Sequence, residues 1–233
     1  MIKIIINGIN GKMGKAILKS IKNNNNFELS FGVQRKPNNT NMLKIYTDIF
    51  QANELGDVIV DYSSPECLDD LIKYATLRDI PLVIATTGYT SNQKDQIIEA
   101  SKYLPILFSS NMSLGISALI RALALITPIL KDDYEVEIIE KHHSKKVDSP
   151  SGTAIMLRDR ILKSYDNKTE IKIHSLRSGT NPGEHSVIFS GKDEILELKH
   201  LSYSRDLFAE GTLKAANWII NQPPGLYSME DIN

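Results

Sequence analysis

The sequence lacks the features that mark secreted, membrane-spanning and nucleic-acid-binding proteins. Its 233 residues include one cysteine, so an internal disulfide is excluded and a reducing, cytoplasmic location is expected. The formal net charge of −1 argues against a nucleic-acid partner, because such proteins normally carry a basic excess. The apolar run Ile4–Ile6 is too short for a signal peptide core. The most apolar segment, Leu114–Leu130, contains Arg121 and Pro128 and falls short of a membrane span, so it predicts a buried helix and no membrane partner.

The first half of the chain alternates short apolar runs with helical patterns. The overall composition, 42% hydrophobic and 24% charged, is ordinary for a globular protein. The candidate strands are Ile2–Ile6, Phe27–Val33, Asp57–Asp61, Pro81–Ala85 and Pro105–Phe108. Apolar strands that alternate with helices are typical of parallel sheets covered on both faces. The first half therefore predicts an α/β fold with a Rossmann-type, doubly wound parallel sheet.

The second half has a different order of elements. A helix at Ser113–Leu130 is followed by a strand at Tyr134–Ile139, a helix at Thr153–Leu162, and strand-like segments at Glu170–Leu176, His185–Ser190 and Ile195–Tyr203. The turn Gly191–Glu194 would join the last two segments as a hairpin. These elements predict an α+β domain with an open mixed sheet and helices on one side.

A helical pattern returns at the end of the chain. Phe208, Gly211, Ala215, Trp218 and Ile219 would share one face of a helix, which could pack on the first domain. The predicted division is therefore a first domain of residues 1–112, completed by 206–233, and a second domain of residues 113–205.

A glycine-rich turn follows the first strand and opens the first helix. Its residues are Gly8, Ile9, Asn10, Gly11, Lys12, Met13 and Gly14. Glycines at this place let the backbone approach a pyrophosphate, and the helix N-terminus attracts negative charge, so the turn predicts a dinucleotide cofactor. The spacing differs from the usual Gly-x-Gly-x-x-Gly, so a tight turn without a ligand stays open as an alternative.

Two further loops fall at the carboxyl ends of predicted strands, where ligands bind in such sheets. The first loop carries Ala85, Thr86 and Thr87, and the second carries Ser109, Ser110, Asn111 and Met112. The small residues and hydroxyl groups of these loops suit contacts with nicotinamide or ribose. Either loop by itself would also pass for an ordinary turn.

The segment Glu140–Ala154 concentrates groups that suit an acidic substrate. It contains His142, His143, Lys145, Lys146, Ser151, Gly152 and Thr153 between a predicted strand and a predicted helix. The histidines can exchange protons near neutral pH, and the lysines add fixed positive charge. Ser151 is a candidate helix N-cap, and the amides at that helix start would attract a carboxylate.

Two other interpretations of this segment stay open. A run of basic residues is usually a solvated loop, and the spacing alone does not exclude one. A zinc site is disfavoured, because adjacent residues on a strand point to opposite faces and His142 and His143 could not easily share one ion. No metal is therefore predicted.

Taken together, these motifs resemble the 4-hydroxy-tetrahydrodipicolinate reductase family of lysine biosynthesis, the dihydrodipicolinate reductases. The resemblance covers nearly the whole chain and rests on Gly8–Gly14, Asp61–Glu66, Ala85–Gly88, Ser110–Gly115, Glu140–Ala154, Gly183–His185 and Ser204–Gly211. It implies an oxidoreductase that removes water from 4-hydroxy-tetrahydrodipicolinate and reduces it with NADPH or NADH to tetrahydrodipicolinate. It also implies a small dicarboxylate substrate and a homotetramer.

The resemblance implies roles for individual residues as well. His142 would be the proton donor and acceptor, and Lys146 would be a proton donor. The residues that would hold the substrate carboxylates are His143, Ser151, Gly152, Thr153 and Arg205. Two alternatives stay open: a different nicotinamide-dependent oxidoreductase with the same two domains, and a non-catalytic protein that senses NADPH.

The end of the second predicted strand bears on the choice of cofactor. Dinucleotide folds usually place an acidic residue there, on the adenosine ribose, but this chain has neutral Gln34 followed by Arg35 and Lys36. This arrangement suits a 2′-phosphate, so we expect NADPH to be accepted at least as well as NADH. The ratio of kcat/KM for the two cofactors measures this, and a strong preference for NADH would contradict it.

Overall fold

The chain folds into two units, each with its own sheet. This computed structural model describes residues 1–35, 43–165 and 169–232. One unit consists of Met1–Met112 together with Asp206–Asn233, and the other consists of Ser113–Arg205. Lys36, part of the predicted cofactor segment, lies outside the described residues.

The described residues form eleven strands and six α-helices. In chain order the strands are β1 (Ile2–Asn7), β2 (Phe27–Val33), β3 (Ile45–Tyr46), β4 (Val58–Asp61), β5 (Leu82–Ile84), β6 (Pro105–Phe108), β7 (Glu135–His142), β8 (Lys172–Arg177), β9 (Gly183–Ser190), β10 (Ile195–Ser202) and β11 (Gly225–Tyr227). The helices are α1 (Lys12–Lys22), α2 (Leu68–Arg78), α3 (Ser91–Ala100), α4 (Leu114–Leu130), α5 (Gly152–Leu162) and α6 (Asp206–Ile219).

The first unit is built on a parallel sheet. Its strands follow the order β11-β6-β5-β4-β1-β2-β3, and each neighbouring pair is parallel. The central strands are buried on both faces, as shown by β4 and by Ile4, Ile5 and Ile6 of β1. The predicted doubly wound parallel sheet is therefore confirmed. The edge strands β3 and β11 were not predicted, because two or three residues carry too little periodicity.

The last helix packs on this first sheet. Leu213 and Ile219 of α6 belong to the buried cluster that also holds Ile4 of β1. The helix approaches closely at Gly211, where a Cβ atom would overlap the carbonyl oxygen of Met112. The helix at the end of the chain thus supplies part of the first unit's core.

The second unit is built on a mixed sheet with the order β10-β9-β7-β8. Strands β7 and β8 are parallel, whereas β9 runs antiparallel to both β7 and β10. The turn between β9 and β10 is closed by a hydrogen bond of 2.9 Å from Gly191 N–H to Glu194 O. The predicted mixed sheet and its hairpin are both confirmed.

Helix α4 was predicted to be buried, and this is right for one face only. Leu119 and Ile120 pack in the core of the second unit, but Leu125 and Ile129 are 74% and 77% exposed. A helix on one side of a sheet covers it with one apolar stripe and leaves the opposite stripe to solvent. Within the described ranges, no helix has the length and apolar character that a membrane span requires.

Candidate functional site

The buried face of β7 carries two polar groups in addition to its hydrophobic residues. Val136 and Ile138 face the core, because side chains on a strand alternate between its faces. The same period continues to Glu140 and His142, which are 0% and 7% exposed. The strand extends past Ile139, its predicted end, because its pairing with β8 continues as far as His142.

The Glu140 carboxylate accepts hydrogen bonds from several directions. Arg177 of β8 donates from Nη1 to Oε2 at 2.8 Å and from Nη2 to Oε1 at 2.5 Å. The backbone N–H of Ser151 donates to Oε1 at 3.1 Å. His142 Nδ1 lies 2.5 Å from Oε2. These partners are what makes the buried carboxylate stable, since an unpaired buried charge is very costly.

These contacts decide the protonation of Glu140 and His142. Burial raises the pKa of Glu140, but the hydrogen bonds from Arg177, Ser175 and His142 outweigh it and bring the pKa to about 2. The carboxylate is therefore ionised at neutral pH. Burial lowers the pKa of His142, and the Glu140 charge opposes that shift only in part. The neutral imidazole is therefore favoured near pH 7.

Because Glu140 occupies Nδ1, Nε2 is the ring nitrogen of His142 that can meet a substrate. The ring of His185 lies edge-on to it, with the two ring centroids 5.1 Å apart. Gly183 lies beside Nε2, and a Cβ atom at that position would be 3.1 Å from this nitrogen. The absence of a side chain on Gly183 therefore keeps the space next to Nε2 open.

Two further histidines contact the N-cap serines of helices α4 and α5. His185 and His200 lie opposite each other in the β9–β10 hairpin. His185 Nε2 is 3.0 Å from the Oγ of Ser151, which also accepts from Ala154 N–H as the N-cap of α5. His200 Nε2 is 3.2 Å from the Oγ of Ser113, the N-cap of α4. Burial lowers the pKa of His185 to about 3 and also lowers the pKa of His200, so both rings are neutral at pH 7.

Lys146 lies on the loop that follows β7. Its ammonium group forms an ion pair with Asp148 at 2.8 Å, and its backbone N–H donates to His143 O at 3.1 Å. Burial raises the pKa of Asp148, but the hydrogen bond from Lys146 outweighs it, so the net pKa is lowered. Burial is the largest cause of the lowered pKa of His142, and the positive charge of Lys146 adds a smaller lowering.

The remaining predicted substrate residues have different surroundings. Gly152 and Thr153 lie in the first turn of α5. Backbone N–H groups in the first turn of a helix have no carbonyl acceptor within that helix. Ser151 is 1% exposed, and its N–H and hydroxyl both contact protein groups, while its part in substrate binding stays a prediction. Arg205 is exposed after β10.

No metal-binding group was found in residues 1–35, 43–165 and 169–232, where no three His, Cys, Asp or Glu side chains are arranged to hold an ion.

The first unit has a cavity of about 590 Å³ near the carboxyl ends of β1, β2 and β4. The predicted cofactor residues that line it are Gly8, Asn10, Gly11, Gln34 and Arg35. This is the edge of a parallel sheet at which dinucleotides bind.

The turn after β1 has the shape that a dinucleotide requires. Gly8 has a φ of 87°, and a Cβ atom there would lie 2.5 Å from the carbonyl oxygen of Tyr62. A Cβ atom at Gly14 would overlap the Gly8 carbonyl, so this glycine allows α1 to pack on the turn. Asn10 has a buried side-chain nitrogen without a partner among the described residues, and its backbone N–H donates to Gln34 Oε1 at 3.2 Å. The turn therefore fits a dinucleotide, because the side-chain nitrogen of Asn10 is available as a donor and residue 34 is not acidic.

The other predicted cofactor residues lie along the same sheet edge but outside the described walls of the cavity. They are Ile9, Lys12, Met13, Ala85, Thr86, Thr87, Ser109, Ser110, Asn111 and Met112. Ile9 and Met112 are 1% and 2% exposed and pack in the core, so their side chains are structural. The predicted residues after β5 and β6 lie directly at the carboxyl ends of those strands, and their part in cofactor binding stays a prediction.

Sequence analysis assigned no role to several residues that form the site of the second unit. The period-two pattern of β7, continued past Ile139, would have identified Glu140 as buried. Arg177 gave no local signal, because it meets Glu140 only through the pairing of β7 with β8. His200 gave none either, and His185 appeared only within the motif Gly183–His185, since the serine partners of both histidines come from distant segments.

Asp61 was also missed as part of the first unit's site. It ends β4, is 1% exposed, and accepts hydrogen bonds from Asn7 Nδ2 at 2.9 Å and Ser63 Oγ at 2.5 Å. Burial raises its pKa, and these hydrogen bonds oppose that shift. Because Asn7 and Ser63 both line the cavity, Asp61 supports one of its walls.

Comparison with known proteins gave matches over the whole chain. The family model "Dihydrodipicolinate reductase, N-terminus" matches residues 2–112, and "Dihydrodipicolinate reductase, C-terminus" matches residues 115–232. The 4-hydroxy-tetrahydrodipicolinate reductase of Caldanaerobacter subterraneus subsp. tengcongensis is 43% identical, and that of Clostridium novyi is 40% identical; each match covers 100% of this chain and 98% of the relative. A dipicolinate-bound dihydrodipicolinate reductase from Paenisporosarcina sp. TG-14 is 25% identical over 100% of both chains, with a TM-score of 0.85.

The Gly183→Ala substitution tests whether activity depends on the open space beside His142 Nε2. We expect Gly183→Ala to lower kcat about tenfold, because the new methyl group would displace the ring by a few tenths of an ångström and narrow the approach to Nε2. Steady-state kinetics would measure this, with thermal unfolding as a check on folding. Ser190→Ala at the far end of β9 is the control, and a folded Gly183→Ala protein with unchanged kcat would contradict the expectation.

Proposed function

The chain belongs to the dihydrodipicolinate reductase family, and we propose that Glu140–Ala154 of its second unit carries the proton transfers of that family's reaction. The reaction is the NADPH- or NADH-dependent reduction of 4-hydroxy-tetrahydrodipicolinate, with loss of water, to tetrahydrodipicolinate in lysine and diaminopimelate biosynthesis. The observation that carries the proposal is the buried His142 ring, bound at Nδ1 by Glu140 and with Nε2 beside Gly183.

The second unit offers positive groups for a dicarboxylate substrate. The first amides of α5, from Gly152 and Thr153, would attract one carboxylate at the helix N-terminus. His143 and the exposed Arg205 would add further donors. The Paenisporosarcina relative was solved with dipicolinate, a dicarboxylate, and this supports the same substrate class here.

Two side chains would move protons. Hydride addition to a conjugated imine builds electron density that a positioned acid must neutralise. Lys146, whose ammonium group is paired with the ionised Asp148, is suited to donate that proton. His142, with a neutral ring and a lone pair on Nε2, can accept a proton during the loss of water and return it.

The first unit would bind the nucleotide. A reduced nicotinamide supplies the hydride when it is bound. Gly8, Asn10 and Gly11 would hold the pyrophosphate, while Gln34 and Arg35 would lie at the adenosine ribose. The neutral Gln34 supports the acceptance of NADPH. The use of a reduced nucleotide, together with the free thiol of Cys67, supports a cytoplasmic location.

We further propose that the chain forms a homotetramer through the open face of the second unit's sheet. This face carries Leu176, Ile195 and Leu201, which are 48%, 69% and 40% exposed. They lie among charged pairs such as Lys199–Glu184, with a distance of 2.6 Å. Apolar residues within a polar rim are typical of protein interfaces.

The oligomer proposal has a direct test. Light scattering on the full chain should give the mass of four 26.1 kDa subunits. Leu201→Lys should dissociate them by placing an unpaired charge in the interface. Leu77→Lys, at a residue that is 69% exposed on α2 of the first unit, is the matched control. A monomeric parent chain would contradict the proposal.

The assigned role of Lys146 is tested by activity. The unstable substrate would be made in situ from pyruvate and aspartate semialdehyde by a coupling synthase, and NADPH absorbance would be followed. We expect Lys146→Ala to lower kcat by about 10²-fold or more, the usual contribution of a positioned acid. Lys145→Ala, at the exposed neighbouring residue, should retain activity. Unchanged turnover in Lys146→Ala would refute the role, and a parent chain that consumes neither NADPH nor NADH would refute the function.

A further inference from the structure

The Glu140 carboxylate contacts three separate parts of the second unit. On its own strand it binds Nδ1 of His142, at 2.5 Å. Across the core it accepts from the N–H of Ser151 at 3.1 Å, directly before the first residue of α5. Both terminal nitrogens of Arg177, on β8, donate hydrogen bonds to the carboxylate, at 2.8 Å and 2.5 Å.

The contact with Glu140 determines where the proton lies on the His142 ring. An ionised carboxylate can only accept hydrogen bonds, so Nδ1 must carry the hydrogen in this contact. In the neutral ring Nε2 then has no hydrogen and presents a lone pair. This is the nitrogen beside which Gly183 leaves space. The carboxylate thus selects one of the two tautomers of the ring.

Arg177 holds Glu140 in place and extends the connection to the Lys146 loop. Its Nη2 also donates to the backbone carbonyl of Asp148 at 2.8 Å. The side chain of Asp148 is the ion-pair partner of Lys146. The ion pair of the buried Glu140 with the partly exposed Arg177 therefore contacts the histidine, the start of α5 and the loop that carries the lysine.

We propose that Glu140, held by Arg177, is a positioning residue for the reduction: it fixes His142 with Nε2 unprotonated and anchors the start of α5. This inference rests on the role proposed above for His142. Glu140 need not touch the substrate for this, because it acts through the ring and the backbone that it binds.

The charges around His142 give the expected direction of a pH effect. The groups that face the ring are Glu140 on its own strand, Arg177 from β8, His185 from β9, and Lys146 from the loop. Burial lowers the pKa of His142, Glu140 raises it, and Lys146 and Arg177 lower it. Removing the charge of Glu140 therefore lowers the pKa of His142 further, and the part of the kcat/KM profile that follows His142 moves to lower pH.

Glu140→Gln is the first test, because it keeps the size of the side chain and removes its charge. We expect kcat to fall about tenfold or more with a smaller change in KM for the substrate, and the His142-dependent limb of the pH profile to move down by about one unit. Glu140→Asp, which keeps the charge, should restore the position of that limb in part. The control is Glu54→Gln in the first unit, where hydrogen bonds from Lys44 and Tyr46 likewise lower the pKa of the carboxyl to about 2.

A second measurement needs neither a variant nor turnover. Nitrogen-15 NMR of the full chain, with His142 assigned, should show a neutral ring protonated at Nδ1 at pH 7. A ring protonated at Nε2, or a folded Glu140→Gln protein with unchanged kcat and pH profile, would overturn the proposal. The NMR result also separates the two claims: inactivity of the parent chain refutes the function, whereas the tautomer tests the positioning by itself.

Discussion

The site of the second unit depends on one constraint: a carboxylate that is fully buried must be neutralised by its neighbours. Strand alternation places Glu140 inside the core, and an unpaired charge there would be prohibitive. Arg177, Ser151 and His142 therefore have to converge on it. Loss of one partner of a buried ion pair typically costs about 3–5 kcal/mol, so this geometry is strongly enforced. Arg177 supplies the opposite charge, and His142 is held by its hydrogen bond to the same carboxylate.

The two units illustrate what a sequence can predict and what it cannot. The parallel sheet, the β9–β10 hairpin and the cap at Ser151 were predicted, because each leaves a periodic or local signal within a few residues. Arg177 could not be assigned, since its partner is reached through strand pairing across a long loop. The contacts of Ser151 with Glu140, Ala154 and His185 could not be predicted either, because local sequence does not reveal these partners.

The glycine turn shows why a motif in the right place can be informative even with unusual spacing. Gly8 is needed for its backbone angle, and Gly14 for the packing of α1 on the turn. Gly11 is the N-cap of α1 and has an ordinary negative φ, so it contributes an uncapped helix start. These separate requirements do not depend on the usual spacing. The turn therefore retains the capacity to approach a phosphate closely.

The discontinuous first unit has a consequence for how the chain is made. Its core includes Leu213 and Ile219 of α6, which are synthesised after the whole of the second unit. On the ribosome, residues 1–112 emerge first, yet Ile4 and the sheet around it remain uncovered by that helix. The second unit is continuous in sequence and has its own core, so it can fold before the last residues of the first unit have been synthesised. The core of the first unit can therefore be completed only after residues 206–233 have been synthesised, although most of its sheet emerges first.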